Sequence, residues 1–162
     1  MVKGDCNEKK TRMQNFIIFI IFMILFYIFI RNYYSIEKIF YKKTETLVLD
    51  IYKESSSILL CSNIQEIENK KLNIIELDKK LNSIESNEKT ANAKVYLEKM
   101  IVFSIESLKL QEDRINYKNN IEINDITNKL NLIKDNMYKY MECVDNSNFN
   151  FYNFNFLINW LK

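Results

Sequence analysis

Residues 16–30 read FIIFIIFMILFYIFI, fifteen apolar side chains without a break. No other feature of the chain restricts its fold as strongly. A helix of this composition is hydrophobic all round and has to be covered on every side. No other segment is apolar enough to cover it, which leaves the hydrocarbon of a bilayer. Fifteen residues rise about 22 Å, less than the ~30 Å hydrocarbon core. Asn15 and Arg31 can snorkel past the ends, and Tyr33 and Tyr34 suit the interfacial aromatic belt. Residues 16–34 are therefore predicted to form a single transmembrane anchor. Lys3, Lys9, Lys10 and Arg12 would also serve a signal peptide. The run is followed by Arg31-Asn32-Tyr33-Tyr34, however, and not by a small-residue cleavage site. An uncleaved signal anchor is expected.

Orientation is less constrained. Four basic residues precede the span and four follow it within fifteen residues (Arg31, Lys38, Lys42, Lys43), so the positive-inside rule gives a tie. A short tail before a long domain favours a cytoplasmic N-terminus. Within the span Phe16, Phe19, Phe22, Phe26 and Phe29 recur every three or four residues and share one helix face. That face can meet lipid or pack against another transmembrane helix. No small-xxx-small pattern accompanies it.

Several chemistries are excluded by composition. The chain has no His, no Pro and one Gly, Gly4 in the N-terminal tail. Ser-His and Cys-His dyads and His-ligated zinc are ruled out, as are glycine-rich phosphate loops. Three cysteines without a Cys-x-x-Cys pair make no metal site, and no cofactor is expected. Lys+Arg 23 against Asp+Glu 21 gives a net charge of +2, with the two signs interspersed, unlike a nucleic-acid binder. Glu45, Asp50, Glu54, Glu112 and Asp113 are scattered among lysines and read as solvated faces. Asp113-Arg114 reads as a surface pair. No enzyme is expected.

A chain almost free of Pro and Gly is most simply built from helices. After the span, Ile36, Ile39, Phe40, Leu47, Ile51, Ile58 and Leu59 predict a helix over 35–61, weakened at Ser55-Ser56-Ser57. A second is predicted over 64–84 from Ile67, Ile74, Leu77, Leu81 and Ile84. Glu66–Lys70, Glu76–Lys80 and Glu85–Lys89 have the spacing of i,i+4 ion pairs along it. The stripe is too short for a free-standing coiled coil. Residues 86–90 read as a turn with Thr90 as N-cap of a third helix. That helix is predicted over 91–117, with Leu97, Met100, Ile101, Ile105 and Leu108 inside. A break follows at 116–120. The fourth is predicted over 121–143, with Ile126, Leu130, Ile133, Met137 and Met141 on one face. The expected fold is mainly α: the anchor, then a small helical bundle or extended helical hairpin over 35–147.

Cys6 precedes the span, while Cys61 and Cys143 follow it, which suits an oxidising exterior. A Cys61–Cys143 disulfide would close a loop of about 80 residues, worth roughly 4–5 kcal/mol on chain-entropy grounds. The alternative is a pair of reduced, buried thiols in a cytosolic domain. Beyond Cys143 the tail 148–162 reads NFNFYNFNFLINWLK. Its Phe/Asn alternation slips once, at Phe151-Tyr152, and favours a short C-terminal β-strand with a bulge. Such a tail can cover the helical domain, add to a partner's sheet or touch the membrane interface. Phe149, Phe151, Phe154, Phe156 and Trp160 are its candidate partner-binding residues.

The basic tail from Lys3 to Arg12, the span at 16–30 and the pair Cys61 and Cys143 form a layout. It resembles that of small membrane-anchored periplasmic partners of membrane-bound transcription regulators, of the TcpH or PsaF/MyfF kind. The resemblance implies a bacterial inner-membrane protein with a periplasmic bulk. Such a protein would bind and stabilise a single-span regulator, help it signal, and not touch nucleic acid itself. Two other classes fit the same anchor: a periplasmic immunity protein that binds a toxin, and a structural span-plus-coiled-coil protein of cell division or phage lysis. The second calls for a longer heptad array than this chain has.

Overall fold

The computed structural model describes residues 4–117 and 123–147, with the side chains of 4–12, 32–35 and 117 outside the description. It contains four helices: α1 Gly4–Ser56, α2 Ile64–Asn82, α3 Ala91–Tyr117 and α4 Ile123–Asn146. A 3-10 turn, Ile58–Leu60, joins α1 to α2. Among the described residues there is no strand. The C-terminal strand expected within 148–162 lies outside them. The chain divides into two compact units, Met1–Ile36 and Glu37–Lys162, with the division inside α1.

The helix ends are built without Pro and, after Gly4, without Gly. At Ser55-Ser56-Ser57 the hydroxyls turn back onto the chain: Ser55 donates to the Ile51 carbonyl, and Ser56 and Ser57 both donate to that of Lys53. These bonds satisfy carbonyls that a helix end leaves without partners, and they compete with its continuation. The first helix accordingly stops at Ser56, short of the predicted 61. The start of α2 carries a capping arrangement that hydrophobic periodicity does not reveal. Asn63 Oδ1 accepts from the Glu66 N–H at 3.0 Å, and the Glu66 carboxylate accepts from the Ser62 N–H at 2.7 Å. Between α2 and α3, Asn87 Oδ1 accepts from the Lys89 and Thr90 N–H groups, an Asx turn standing where glycine is often used. Thr90 takes the N-cap position, its carbonyl accepting from the Lys94 N–H at 3.0 Å. Its hydroxyl bonds back to the Asn87 N–H, at 2.9 Å.

Cross-helix pairs set the topology of the second unit. Tyr41 and Thr44 of α1 meet Cys143 and Tyr140 of α4, whereas Tyr52 and Ser55 share a groove with Thr127 and Leu130. The two helices are thus antiparallel. Glu54 meets Lys70 while Glu37 meets Lys89, so α1 and the α2 hairpin also run in opposite senses. Lys129 of α4 pairs with Glu106 of α3 at 2.6 Å. The order is up-down-up-down, and one continuous core draws on all four helices: Phe40, Val48 and Ile51 from α1, Ile74 and Leu81 from α2, Leu97 and Met100 from α3, Ile133 and Met137 from α4. That shared core makes a four-helix bundle of this unit and not an extended hairpin.

Two of the three expected i,i+4 ion pairs are replaced. Glu76–Lys80 forms at 2.8 Å on the surface. Glu66 instead closes the cap of α2. Lys70 reaches across to Glu54 at 3.2 Å and to the Ser57 hydroxyl at 2.7 Å. Lys89 faces Glu37 at 3.9 Å. An i,i+4 pair is worth only a few tenths of a kcal/mol, so partners from other elements outcompete it readily.

Leu97 is fully buried, whereas Leu72 is 65% exposed. Leu97→Ala is expected to cost about 2–5 kcal/mol and Leu72→Ala under about 0.5 kcal/mol. Guanidinium unfolding of the full chain in detergent, followed by helical circular dichroism, checks this.

Candidate functional site

Among the described residues, the apolar run of α1 and the polar contacts inside the bundle are the features to weigh first. Every side chain from Phe16 to Ile30 is exposed, the five phenylalanines by half or more. Phe22 and Phe26 stack with ring centroids 6.3 Å apart and planes 9° from parallel. The structure thus places Phe16, Phe19, Phe22, Phe26 and Phe29 on one face of α1 with no cover from the described residues of the chain. An apolar surface of this extent is not stable against water and demands a hydrophobic surrounding.

The bundle core contains polar side chains that the search for apolar periodicity missed. Thr44 Oγ1 and the Tyr140 hydroxyl lie 2.7 Å apart, and Thr44 also donates to the Phe40 carbonyl at 2.9 Å. The Tyr41 hydroxyl donates to the Cys143 carbonyl at 3.3 Å. Toward the other end, Ser55 and Ser104 meet at 2.6 Å, and Gln111 Nε2 donates to the Cys61 carbonyl at 2.7 Å. All these side chains are buried, and among the described residues no buried side-chain polar atom is left without a partner. The cost of burying them is thereby met, and each pair holds two helices in one register. The signal in the sequence was present as polar letters in the core phase of each helix: Thr44 four residues after Phe40, Ser104 four after Met100.

Burial is the main reason Tyr41 is pushed up to about 12 from the ordinary 10.0, with the charges of Cys143 and Glu37 adding to it. Burial moves Tyr140 further in the same direction, opposed in part by its bond to Thr44.

The cysteines do not form the expected disulfide. Cys61 and Cys143 are both free thiols. Cys61 follows the end of α1, whereas Cys143 lies beside Tyr41 near the start of the α1 stretch in the bundle. From Tyr41 to Ser56 a helix rises roughly 22 Å, while a disulfide needs Cα atoms about 6 Å apart. The C-terminal ends of the first and fourth helices of an up-down-up-down bundle fall at opposite ends, and this topology separates the pair. Burial raises both thiols above their ordinary pKa, with Lys70 partly offsetting it at Cys61. Cys6 belongs to α1, but its side chain lies outside the description.

The remaining expected residues yield little chemistry. Phe149, Phe151, Phe154, Phe156 and Trp160 lie outside the described residues. Asp50 and Glu54 line an open groove of about 210 Å³ with Lys53, Glu76 and Lys80, and Glu54 is paired with Lys70. The groove beside Tyr52 and Lys134 measures about 230 Å³. Both fall below the usual size of a small-molecule site. Arg114 donates to Gln111 at 3.3 Å. Among the described residues no group of three or more potential metal ligands occurs.

No family model matches the chain, and no characterised protein or solved structure is significantly similar to it. The class rests on the fold alone: a mainly helical protein with one helix long and apolar enough to cross a membrane.

Two outcomes are expected. Non-reducing and reducing gels of the protein should show the same mobility, and half-buried Cys143 should react with maleimide faster than buried Cys61. The folded bundle keeps protons on Tyr41 and Tyr140 that the unfolded chain loses near pH 10.0. Stability should therefore be intact below pH 10 and fall as pH climbs from about 10 through 12. Tyrosinate absorbance and helical signal should change together in the last part of that range, and Tyr140→Phe should flatten the dependence.

Proposed function

We propose that this chain is a membrane-anchored four-helix-bundle protein that acts by contact and not by catalysis. The observation that carries the proposal is the exposure of residues 16–30, none of them covered by a described residue, alongside a bundle whose own core forms without them. An apolar helix unneeded by the core is free to be an anchor. Hydrocarbon satisfies it, and its backbone groups are bonded within the helix as a bilayer requires. The polar pairs Thr44–Tyr140 and Ser55–Ser104 give the bundle a defined register, and with it a defined surface to present.

The narrower form of the proposal has the bundle outside the cytoplasm of a bacterium, bound to a single-span transcription regulator that it protects from degradation. Its support is the layout of basic segment, span and helical domain. The cysteine pair, separated by the bundle topology, no longer contributes to that likeness, nor to the redox argument for an oxidising compartment.

Alkaline carbonate washing of membranes tests the anchor. The full-length protein should stay in the membrane pellet, and deletion of 16–30 should release it; a wild-type protein recovered in the wash would contradict the anchor. Alkaline phosphatase fused after Lys162 should be active if the bundle lies outside. A regulator partner should co-purify and be degraded faster when this gene is deleted, and an unchanged half-life would remove the protective role.

A further inference from the structure

Lys38, Ile39, Lys42 and Lys43 lie on α1 within the Glu37–Lys162 unit. Residues three and four apart share a helix face, so 38 with 42, and 39 with 42 and 43, form one continuous patch. All four side chains are exposed, Ile39 by 48%. The opposite face of the same turns sends Glu37, Phe40, Tyr41 and Thr44 into the core. Four lysines of the bundle pair with acids, Lys70 with Glu54, Lys80 with Glu76, Lys89 with Glu37 and Lys129 with Glu106, while others such as Lys71, Lys79 and Lys109 have no ion pair among the described residues. Lys38, Lys42 and Lys43 make no ion pair or side-chain hydrogen bond with any described residue. Of the acids next to them in sequence, Glu37 is buried and Glu45 half-buried. Exposed acids occur on neighbouring elements, Glu142 and Asp145 on α4 and Glu85 and Glu88 before α3.

An exposed isoleucine among three lysines that have no ion pair with a described residue has the chemistry of a headgroup-zone surface, with cations for phosphate and an aliphatic side chain for the acyl boundary. The patch starts eight residues after Ile30, the last of the apolar run. The run is shorter than the hydrocarbon core, a mismatch that draws the residues after it toward the bilayer. We propose that Lys38, Ile39, Lys42 and Lys43 form a docking surface for the phosphate headgroups of anionic lipids. This rests on the anchor proposed above. The lipids would hold the bundle against the bilayer surface, and salt would loosen it.

Acetylation of lysines tests the proposal on the full-length protein in nanodiscs of phosphatidylcholine, with or without phosphatidylglycerol. Mass spectrometry reads each site. Lys38, Lys42 and Lys43 should react several-fold more slowly in the anionic discs and recover in about 0.5 M salt, where screening is strong. Exposed Lys71, Lys79 and Lys109 should not change. Equal rates in the two lipids for a protein that has entered both discs would overturn the lipid surface and leave the anchor standing. Slowing that extends to the control lysines would overturn it as well. So would protection seen only when an acidic protein or nucleic acid is added to neutral discs. A protein that enters neither disc would overturn the anchor and this proposal together.

Discussion

Fifteen consecutive apolar side chains that nothing in the described chain covers are the constraint on which everything else depends. In water their exposure would drive aggregation, and in the core of so small a domain there is no room for them. The bundle has filled its interior with other residues: Phe40, Leu97, Met100 and Ile133 are buried to within a few per cent without help from the run. The chain therefore separates two tasks that many proteins combine. One apolar set folds the domain and another is left over, and the leftover set has the uniformity of a bilayer segment while rising less than the full hydrocarbon thickness.

The bundle meets a second constraint, that of specifying one arrangement with few special residues. It has no proline and no glycine with which to fix turns, so asparagine and serine do that work at Asn63, Asn87 and Ser55 to Ser57. Helices with aliphatic stripes alone can slide by a turn at little cost. Thr44 against Tyr140 and Ser55 against Ser104 resist such sliding, because a shifted register would break these two inter-helix hydrogen bonds, worth about 0.5–1.5 kcal/mol each, although Thr44, Ser55 and Ser104 could still bond to carbonyls of their own helices. Both pairs involve α1, the helix that also carries the apolar run.

Where the hydrophobic period was clean, the sequence was readable. Ile67, Ile74, Leu77, Leu81 and Ile84 were all expected inside and all are buried. The part of α1 that enters the bundle was read less well. Ile39 was expected inside and is half exposed, while Glu37, Thr44 and Ser55 are buried. Apolar periodicity counts letters one helix at a time, and it cannot see a threonine matched to a tyrosine on another helix. The ion pairs misled for the same reason: Lys70 and Lys89 had acids four residues away and used acids from α1 instead. The disulfide failed on topology. Cys143 lies in the last turn of α4 and Cys61 follows the 3-10 turn after α1, and the alternation of helix direction, which places the two apart, lies in the tertiary structure.

A bilayer-spanning helix and a water-exposed one differ most sharply in access of solvent to their backbone. Hydrogen exchange of the full-length protein in nanodiscs, read segment by segment, measures that access directly. Residues 16–30 should remain protected for hours and stay protected in denaturant sufficient to open the bundle helices. Exchange of 16–30 within seconds, while α2 to α4 are still protected, would contradict the membrane anchor.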